Sequence, residues 1–302
     1  MADICRVDGA KGRKIELHLY RTETAPAKGA VLLLHGMAEH FERYEGFLKE
    51  LNKNGYDAYI YSHRGHGHET AIEDLGFFAK KKGWDLVIED AVAALKYVKR
   101  ENRGAKTLLF GHSMGSLISR NVIQRFDDID AAIICGTAVQ PDIVCVAGIA
   151  VASVITFFCG AKHKSPLMDA MAFGGSRYKK LCKRTKCDWL TKDEKIVDTY
   201  IEDPYCGFLC TASFYRDLVT ITGKAKWGMG KTRKDLPIFL ASGEDDPVGG
   251  LGKGVKKLYK KYKELGFTGV SMKLYATDRH ELLNELDKDK VTEDFISFYD
   301  SI

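Results

Sequence analysis

Residues 107–120, TLLFGHSMGSLISR, constrain the fold more than any other stretch of this chain. An apolar run enters Gly111-His112-Ser113-Met114-Gly115 directly, and a helix-like segment follows. A serine with glycine two residues before and two after it, set between a strand and a helix, is the pattern of a nucleophile elbow. The serine sits there in a strained backbone conformation at a sharp turn. Gly111 and Gly115 remove side chains that would strike the neighbouring strand and helix. Oγ is lifted above a sheet with the helix N-terminus beneath it, and the N–H of Met114 is aimed at a developing oxyanion.

The surrounding rhythm agrees. Short apolar runs alternate with helical patterns, which signals βα units around a largely parallel sheet and hence an α/β class. Strands are expected at 31–34, 56–61, 107–110, 131–135, 236–241 and 271–275, with an alternating, antiparallel one at 14–20. Helical spacing over 44–54 stops at Gly55, a fitting C′ residue. Residues 85–100 (DLVIEDAVAALKYVKR) make a strong amphipathic helix with basic residues in its last turn. Between 140 and 230 the rhythm is lost. We therefore expect a core of 1–139 and 231–302, with 140–230 inserted as a cap over the C-terminal edge of the sheet, where open α/β sheets bind ligands.

A serine is a weak nucleophile without a base, and that base needs an orienting carboxylate. In chain order the acid and then the histidine follow the serine. The run LPIFLASGEDDPV ends in an acidic turn, where Asp246 is the favoured carboxylate and Asp245 and Glu244 are rivals. Beyond Asp246 the single histidine is His280, at the end of VSMKLYATDRH. The second oxyanion donor is expected from the loop after an early strand, and LLLHGMAEH supplies the N–H of Met37.

Other classes are excluded by composition. A formal charge of +5 over 302 residues is too weak to argue for nucleic acid. The eight cysteines form no CxxC pair, and the N-terminus MADICRVDGAKGRK has no apolar signal region, so a cytoplasmic protein without disulfides is expected. The histidines of Ser62-His63-Arg64-Gly65-His66-Gly67-His68 lack a matching carboxylate and an HxxxH face, so no metal is expected. They read instead as a hydrogen-bonded loop beside the site. Residues 143–161 (IVCVAGIAVASVITFFCGA) approach the length of a membrane span, but they lie between segments that must converge in one site and read better as a greasy lid. The Lys-rich stretch 253–263 reads as a solvated helix face.

Four blocks, HGMAEHFERYEGFLKELNKNGYDAYIYSHRGHG (35–67), GHSMG (111–115), GEDDPVG (243–249) and YATDRHELLNE (275–285), together resemble the monoacylglycerol lipase/lysophospholipase group of α/β-hydrolases, also described as serine aminopeptidase-like. The cap piece 185–208 is similar to caps of bacterial lysophospholipase-like members. The resemblance implies a mostly parallel eight-stranded sheet flanked by helices with an inserted helical cap. It also implies a Ser113–His280–Asp246 triad, Met37 and Met114 as oxyanion donors, no cofactor, and a small acyl ester as substrate. One departure is Ser62, where the group usually carries an acid in its DHRGHG-type motif. The cap sets selectivity, so an aminopeptidase or thioesterase on the same residues stays open, as does a non-catalytic homologue. Acids Asp188, Asp193, Glu194, Glu202 and Asp203 make an amine-binding cap conceivable. The apolar 143–161 run and the aromatics after it suit an acyl tunnel, transient contact with a lipid surface, or the cap's own core.

Overall fold

A strand sandwiched between two helical layers must be apolar on both faces, and the central strands here are built that way. The computed structural model describes residues 3–302. Its elements run β1 (Asp3–Asp8), β2 (Lys14–Tyr20), β3 (Gly29–Leu34), α1 (Glu45–Lys53), β4 (Tyr56–Ile60), α2 (Gly83–Glu101), β5 (Lys106–His112), α3 (Met114–Val122) and β6 (Ala131–Cys135). Then come α4 (Asp142–Cys159), α5 (Pro166–Phe173), α6 (Ser176–Leu181), α7 (Glu194–Glu202) and α8 (Ala212–Trp227). The chain closes with β7 (Ile238–Gly243), α9 (Lys253–Glu264), β8 (Val270–Tyr275) and α10 (Lys288–Asp300).

The eight strands form one sheet in the order β1-β2-β4-β3-β5-β6-β7-β8. Strands β3 to β8 are parallel, while β2 is antiparallel to both β1 and β4. The pleat divides the core. Leu32 and Leu34 of β3 face a layer holding Val87 and Leu95 of α2, Ile118 of α3, Ile221 of α8 and Leu258 of α9. Val31 and Leu33, one residue out of phase, face Phe47 and Leu51 of α1 and Phe295 and Tyr299 of α10. The Lys face of α9 is exposed while Val255, Leu258 and Tyr262 are buried, as its spacing predicts.

Strand β1 is the element the sequence reading passed over. Its charged DICRVD buries only Val7, and its register comes from pairing with β2 rather than from a strong pattern of its own. As an edge strand it benefits from those charges, which discourage pairing with another chain.

The sheet reverses direction of growth at β3, whose neighbours are β4 on one side and β5 on the other. The C-terminal ends of β3 and β5 therefore flank a topological switch point, the crevice where such sheets bind ligands. Five helices, α4 to α8, fill the chain between β6 and β7. Helix α8 packs on α2 and α3 and carries α4 along its outer side. A Cβ on Gly148 of α4 would stand 3.2 Å from Val219 of α8, so the two helices approach closely there. Lys226 Nζ and Trp227 Nε1 of α8 both donate to Asp142 at the first turn of α4, 2.8 and 2.7 Å away. Helix α4 is long and apolar enough to cross a membrane, and only its Cys145 and Ala152 are buried.

Candidate active site

Strand β5 delivers its last residue into the switch crevice, and Ser113 follows with φ 53° and ψ −117°. A non-glycine residue at positive φ is strained and persists only where its surroundings hold it. Here the Ser113 N–H donates to Cys135 O at 2.9 Å, and Ser116 Oγ donates to Ser113 O at 2.5 Å. Both flanking glycines are required by close approach: a Cβ on Gly115 would stand 1.9 Å from Leu34 O, and one on Gly111 2.2 Å from Ser119 Oγ. Met114 opens α3, so its N–H has no intrahelical acceptor.

The loop after β3 lies against this turn. A Cβ on Gly36 would stand 3.3 Å from Ser113 Cβ. Glu39 Oε1 accepts from the Gly36 N–H at 2.5 Å and from Tyr44 Oη at 2.8 Å, which fixes the curl that presents Met37. Ala38, at φ 52°, turns its carbonyl toward α7 and the loop after it, where Gly207 N–H and Tyr200 Oη each donate to it at 2.9 Å.

Two further strand ends carry the expected histidine and carboxylate. His280 follows β8 and is buried, and its Nδ1 lies 3.1 Å from Oδ1 of Asp246, which follows β7 and is fully buried. Asp246 also accepts from the Val248 N–H at 2.8 Å and from Ser242 Oγ at 3.2 Å. Burial works against the charge on both groups. The pairing outweighs it: the Asp246 carboxyl is held below its ordinary value by the imidazole and by backbone N–H groups, and His280 is raised by the carboxylate. Glu244 and Asp245, the rival acids, face solvent. Gly136, at the end of β6, lets the imidazole in, since a Cβ there would stand 3.1 Å from His280 Cε1. The His112 ring, beside the serine, is centred 4.7 Å from that of His280. Burial pushes His112 down to about 4, so it is neutral near pH 7.

Sequence reasoning missed a buried ion network beneath these loops. Arg43 donates to both oxygens of Glu281, at 2.8 and 2.7 Å, and to Glu39 at 2.5 Å. It thereby joins the Gly36 loop to the residue next to His280. Burial opposes ionisation of Glu281, but Arg43 overrides it and holds the carboxyl down at about 2. An Arg four residues after Glu39 was the available signal, but its second partner is 238 residues away.

The histidine loop after β4 is mostly packing. His35 Nδ1 contacts Gly36 O at 2.8 Å while its Nε2 accepts the His63 N–H at 3.0 Å, which requires a neutral ring. Burial lowers His35 and His66 to about 3. At the position of the departure, Ser62 O accepts from Arg13 at 2.7 Å. The buried Asp90 binds Arg13 and Arg64 at 2.9 and 2.6 Å, and so anchors this loop.

Trp189, in the segment between β6 and β7, lies 5.1 Å from the His280 ring, and Phe173 and Tyr178 pack on Trp189 at 5.7 and 5.3 Å. Of the five acids expected in this segment, Glu194 and Glu202 are exposed and the three aspartates are engaged. Asp188 accepts from Arg184 N, Thr185 N and Thr185 Oγ1, Asp193 caps α7, and Asp203 binds His40.

This fold and this set of strand-end residues define an α/β-hydrolase of the serine-hydrolase class. The chain belongs to the family described as serine aminopeptidase, S33, whose model matches residues 25–287. A monoacylglycerol lipase of Mycolicibacterium smegmatis is 24% identical over 305 aligned positions, covering 96% of this chain and 94% of that one. A thermostable carboxyl esterase from Bacillus coagulans, solved with glycerol, has the same fold at a TM-score of 0.90 and 24% identity, covering 100% of this chain and 98% of that one. A soluble variant of Saccharomyces cerevisiae monoglyceride lipase, solved with a substrate analogue, matches at a TM-score of 0.76 and 19% identity, covering 99% and 95%.

Proposed function

We propose that this protein is a carboxylic ester hydrolase acting on monoacylglycerol- or lysophospholipid-like esters, with Ser113 as nucleophile, His280 as general base and acid, and Asp246 orienting the imidazole. The observation that carries this reading is the buried Asp246–His280 pair, delivered to the same edge of one parallel sheet as a serine held at φ 53°. His280 takes the Ser113 proton as Oγ bonds to the acyl carbon. The N–H groups of Met37 and Met114 bind the oxyanion, and His280 then protonates the departing alcohol. Water attacks the acyl-serine by the same route, which releases the fatty acid and restores the hydroxyl.

Ester rather than peptide chemistry is favoured by the cap. Asp188, Asp193 and Asp203 already serve backbone N–H groups or His40, which leaves only the exposed Glu194 and Glu202 of α7 to hold a substrate amine. The relative from Mycolicibacterium smegmatis, named as a monoacylglycerol lipase, supports the same substrate class. Residues 140–230 act as the lid, rooted on the core through α8. Its outer helices expose Ile143, Val154, Phe157 and Phe158 of α4 with Leu167 and Met171 of α5, and Lys179, Lys180 and Lys183 lie nearby in the chain. An exposed apolar face with basic residues close by suits transient contact with an anionic lipid surface, from which acyl glycerols or lysophospholipids would be drawn. All eight cysteines are free, which suits a reducing cytoplasmic setting.

The test is a p-nitrophenyl ester series of rising chain length, beside aminoacyl anilides and acyl thioesters. Preference for acyl chains beyond about eight carbons is expected from a lipid-facing lid. Turnover of the anilides with negligible ester cleavage would replace this reading with an aminopeptidase, and dominant thioester cleavage with a thioesterase.

A further inference from the structure

We infer that His40, Glu42 and His68 form a binding site for a divalent transition-metal cation of the zinc class, at the outer rim of the crevice. The three residues come from two loops, that after β3 and that after β4, and their ligand atoms all lie within 4.8 Å of one another. His68 Nε2 is 3.2 Å from Glu42 Oε2, and the rings of His40 and His68 are centred 5.0 Å apart.

The imidazole of His40 makes this more than a surface cluster. Its side chain is 93% buried, being 7% exposed. Its Nε2 lies 2.8 Å from Asp203 Oδ2, so Nε2 carries the proton and donates it to the carboxylate. With the ring neutral, Nδ1 is a lone pair, and it faces Glu42 Oε2. Both of these atoms are buried and make no hydrogen bond, although His68 Nε2 lies within ion-pair reach of Oε2. Two acceptors pressed together repel unless a positive charge lies between them. A cation bound by Nδ1, Oε2 and His68 Nε2 supplies that charge.

The donor set suits zinc: two imidazole nitrogens and one carboxylate oxygen, with a fourth position left for water. The Nε2–H to Asp203 contact is the outer hydrogen bond that metal-bound histidines usually make, which fixes the tautomer and the ring plane. Asp203 is itself set by the Tyr205 N–H, 2.7 Å from its Oδ1, and the Tyr205 ring packs 4.1 Å from that of His68. His68 is 47% exposed, so a cation can enter and the ring can turn to close on it. The histidines of 62–68 lacked a carboxylate at local spacing; Glu42 arrives from the other loop. A bound cation would tie the segment carrying Met37 to the loop after β4 and, through Asp203, to the cap.

The experiment is calorimetric titration of the chelator-stripped full chain with zinc chloride, repeated with His68→Ala, Glu42→Gln and Asp203→Asn. We expect one zinc per chain and a rise in melting temperature on saturation. His68→Ala and Glu42→Gln should each weaken binding by at least about tenfold, and Asp203→Asn by about 10- to 100-fold. Cobalt in place of zinc should give the visible bands of a four-coordinate site in wild type and lose them in His68→Ala. Circular dichroism confirms that the variants fold. The absence of saturable binding by wild type, or equal affinity in wild type and both ligand variants, would overturn the site and leave His40–Glu42 as a protonated ion pair.

Discussion

The crevice floor and the proposed lid above it are made from opposite materials. Around Ser113, the candidate side chains sit at the ends of parallel strands, and the buried Asp246 and His280 hold each other through Oδ1 and Nδ1. Helices α4 and α5 turn most of their apolar side chains outward, with Phe157 81% and Phe158 77% exposed. Rigid, satisfied polar groups are what preorganised chemistry needs, whereas unsatisfied apolar surface is what an interface needs. Under the proposed function the floor sets how fast a bound ester reacts, and residues 140–230, as its lid, set which esters arrive. Substitutions in the two regions should separate along that line.

The largest effects belong to the floor. Ser113→Ala should abolish ester turnover and fluorophosphonate labelling, with a rate loss on the order of 10⁶-fold; retained labelling would move the nucleophile elsewhere. Asp246→Asn should lower kcat by about 10⁴-fold, because an amide no longer holds the imidazole in the working tautomer. Asp245→Asn, on a solvent-facing carboxylate, should leave kcat near wild type. If Asp245→Asn caused the large loss, the acid assignment would be wrong.

Arg43→Met tests whether the floor is one unit. It leaves two carboxylates, Glu39 and Glu281, buried without their cation, at a cost of about 3–5 kcal/mol in stability. Urea unfolding measures that loss. At temperatures where the variant is folded, kcat for a short-chain ester should fall while KM changes little, since Arg43 reaches the reaction only through the two loops it joins. Arg43→Lys should restore part of both.

The same pair sets the pH response. His280 must be neutral to take a proton, and Asp246 raises it above its ordinary 6.5, so kcat/KM should climb as pH rises through a value above 6.5. In Asp246→Asn, burial is no longer opposed by the carboxylate, and the residual activity should rise at lower pH. Stability follows by linkage. The raised His280 contributes stability that is complete below its unfolded value and lost as pH climbs through the folded one. The depressed Asp246 contributes stability that is present above its unfolded value and lost as pH falls through the folded one. An acid limb that stays put in Asp246→Asn would break the link between the two groups.

How much of this was legible beforehand follows the same division. The strand-end residues could be read because each sits beside a local signal: glycines around Ser113, an acidic turn at Asp246, an apolar run before His280. Most strands could be read because central parallel strands are buried throughout and therefore mostly apolar. Strand β1 carries no such signal and exists through its partner. The Arg43 network and the meeting of His40, Glu42 and His68 were beyond reach, since their spacing is set by how loops fold back and not by any period along the chain. In the lid, composition announced an apolar helix but not which face would be left bare. That depends on Gly148 letting α4 close on α8 and on Asp142 pinning its first turn.

The smallest effect on the folded chain should come from the lid's most exposed pair, and it is the sharpest test of the comparison. Phe157 and Phe158 pack edge-to-face on each other at 5.0 Å and on little else. Phe157→Ser with Phe158→Ser should therefore change unfolding free energy by no more than about 0.5 kcal/mol per site, as for other surface positions. Hydrolysis of soluble short-chain esters should be unchanged, because neither ring lies among the groups around Ser113. Burying a phenylalanine side chain is worth roughly 1.5–3 kcal/mol, so losing two from a lipid contact should weaken sedimentation with anionic vesicles by at least about tenfold. Turnover of vesicle-borne monoacylglycerol should fall in step. Equal vesicle binding by both proteins would remove the lipid role from this face. A concentration-dependent shift in mass that the double variant abolishes would assign the face to a second copy of the chain. Loss of short-chain turnover would show that lid and floor are not separable, and the contrast between them would fail at its root.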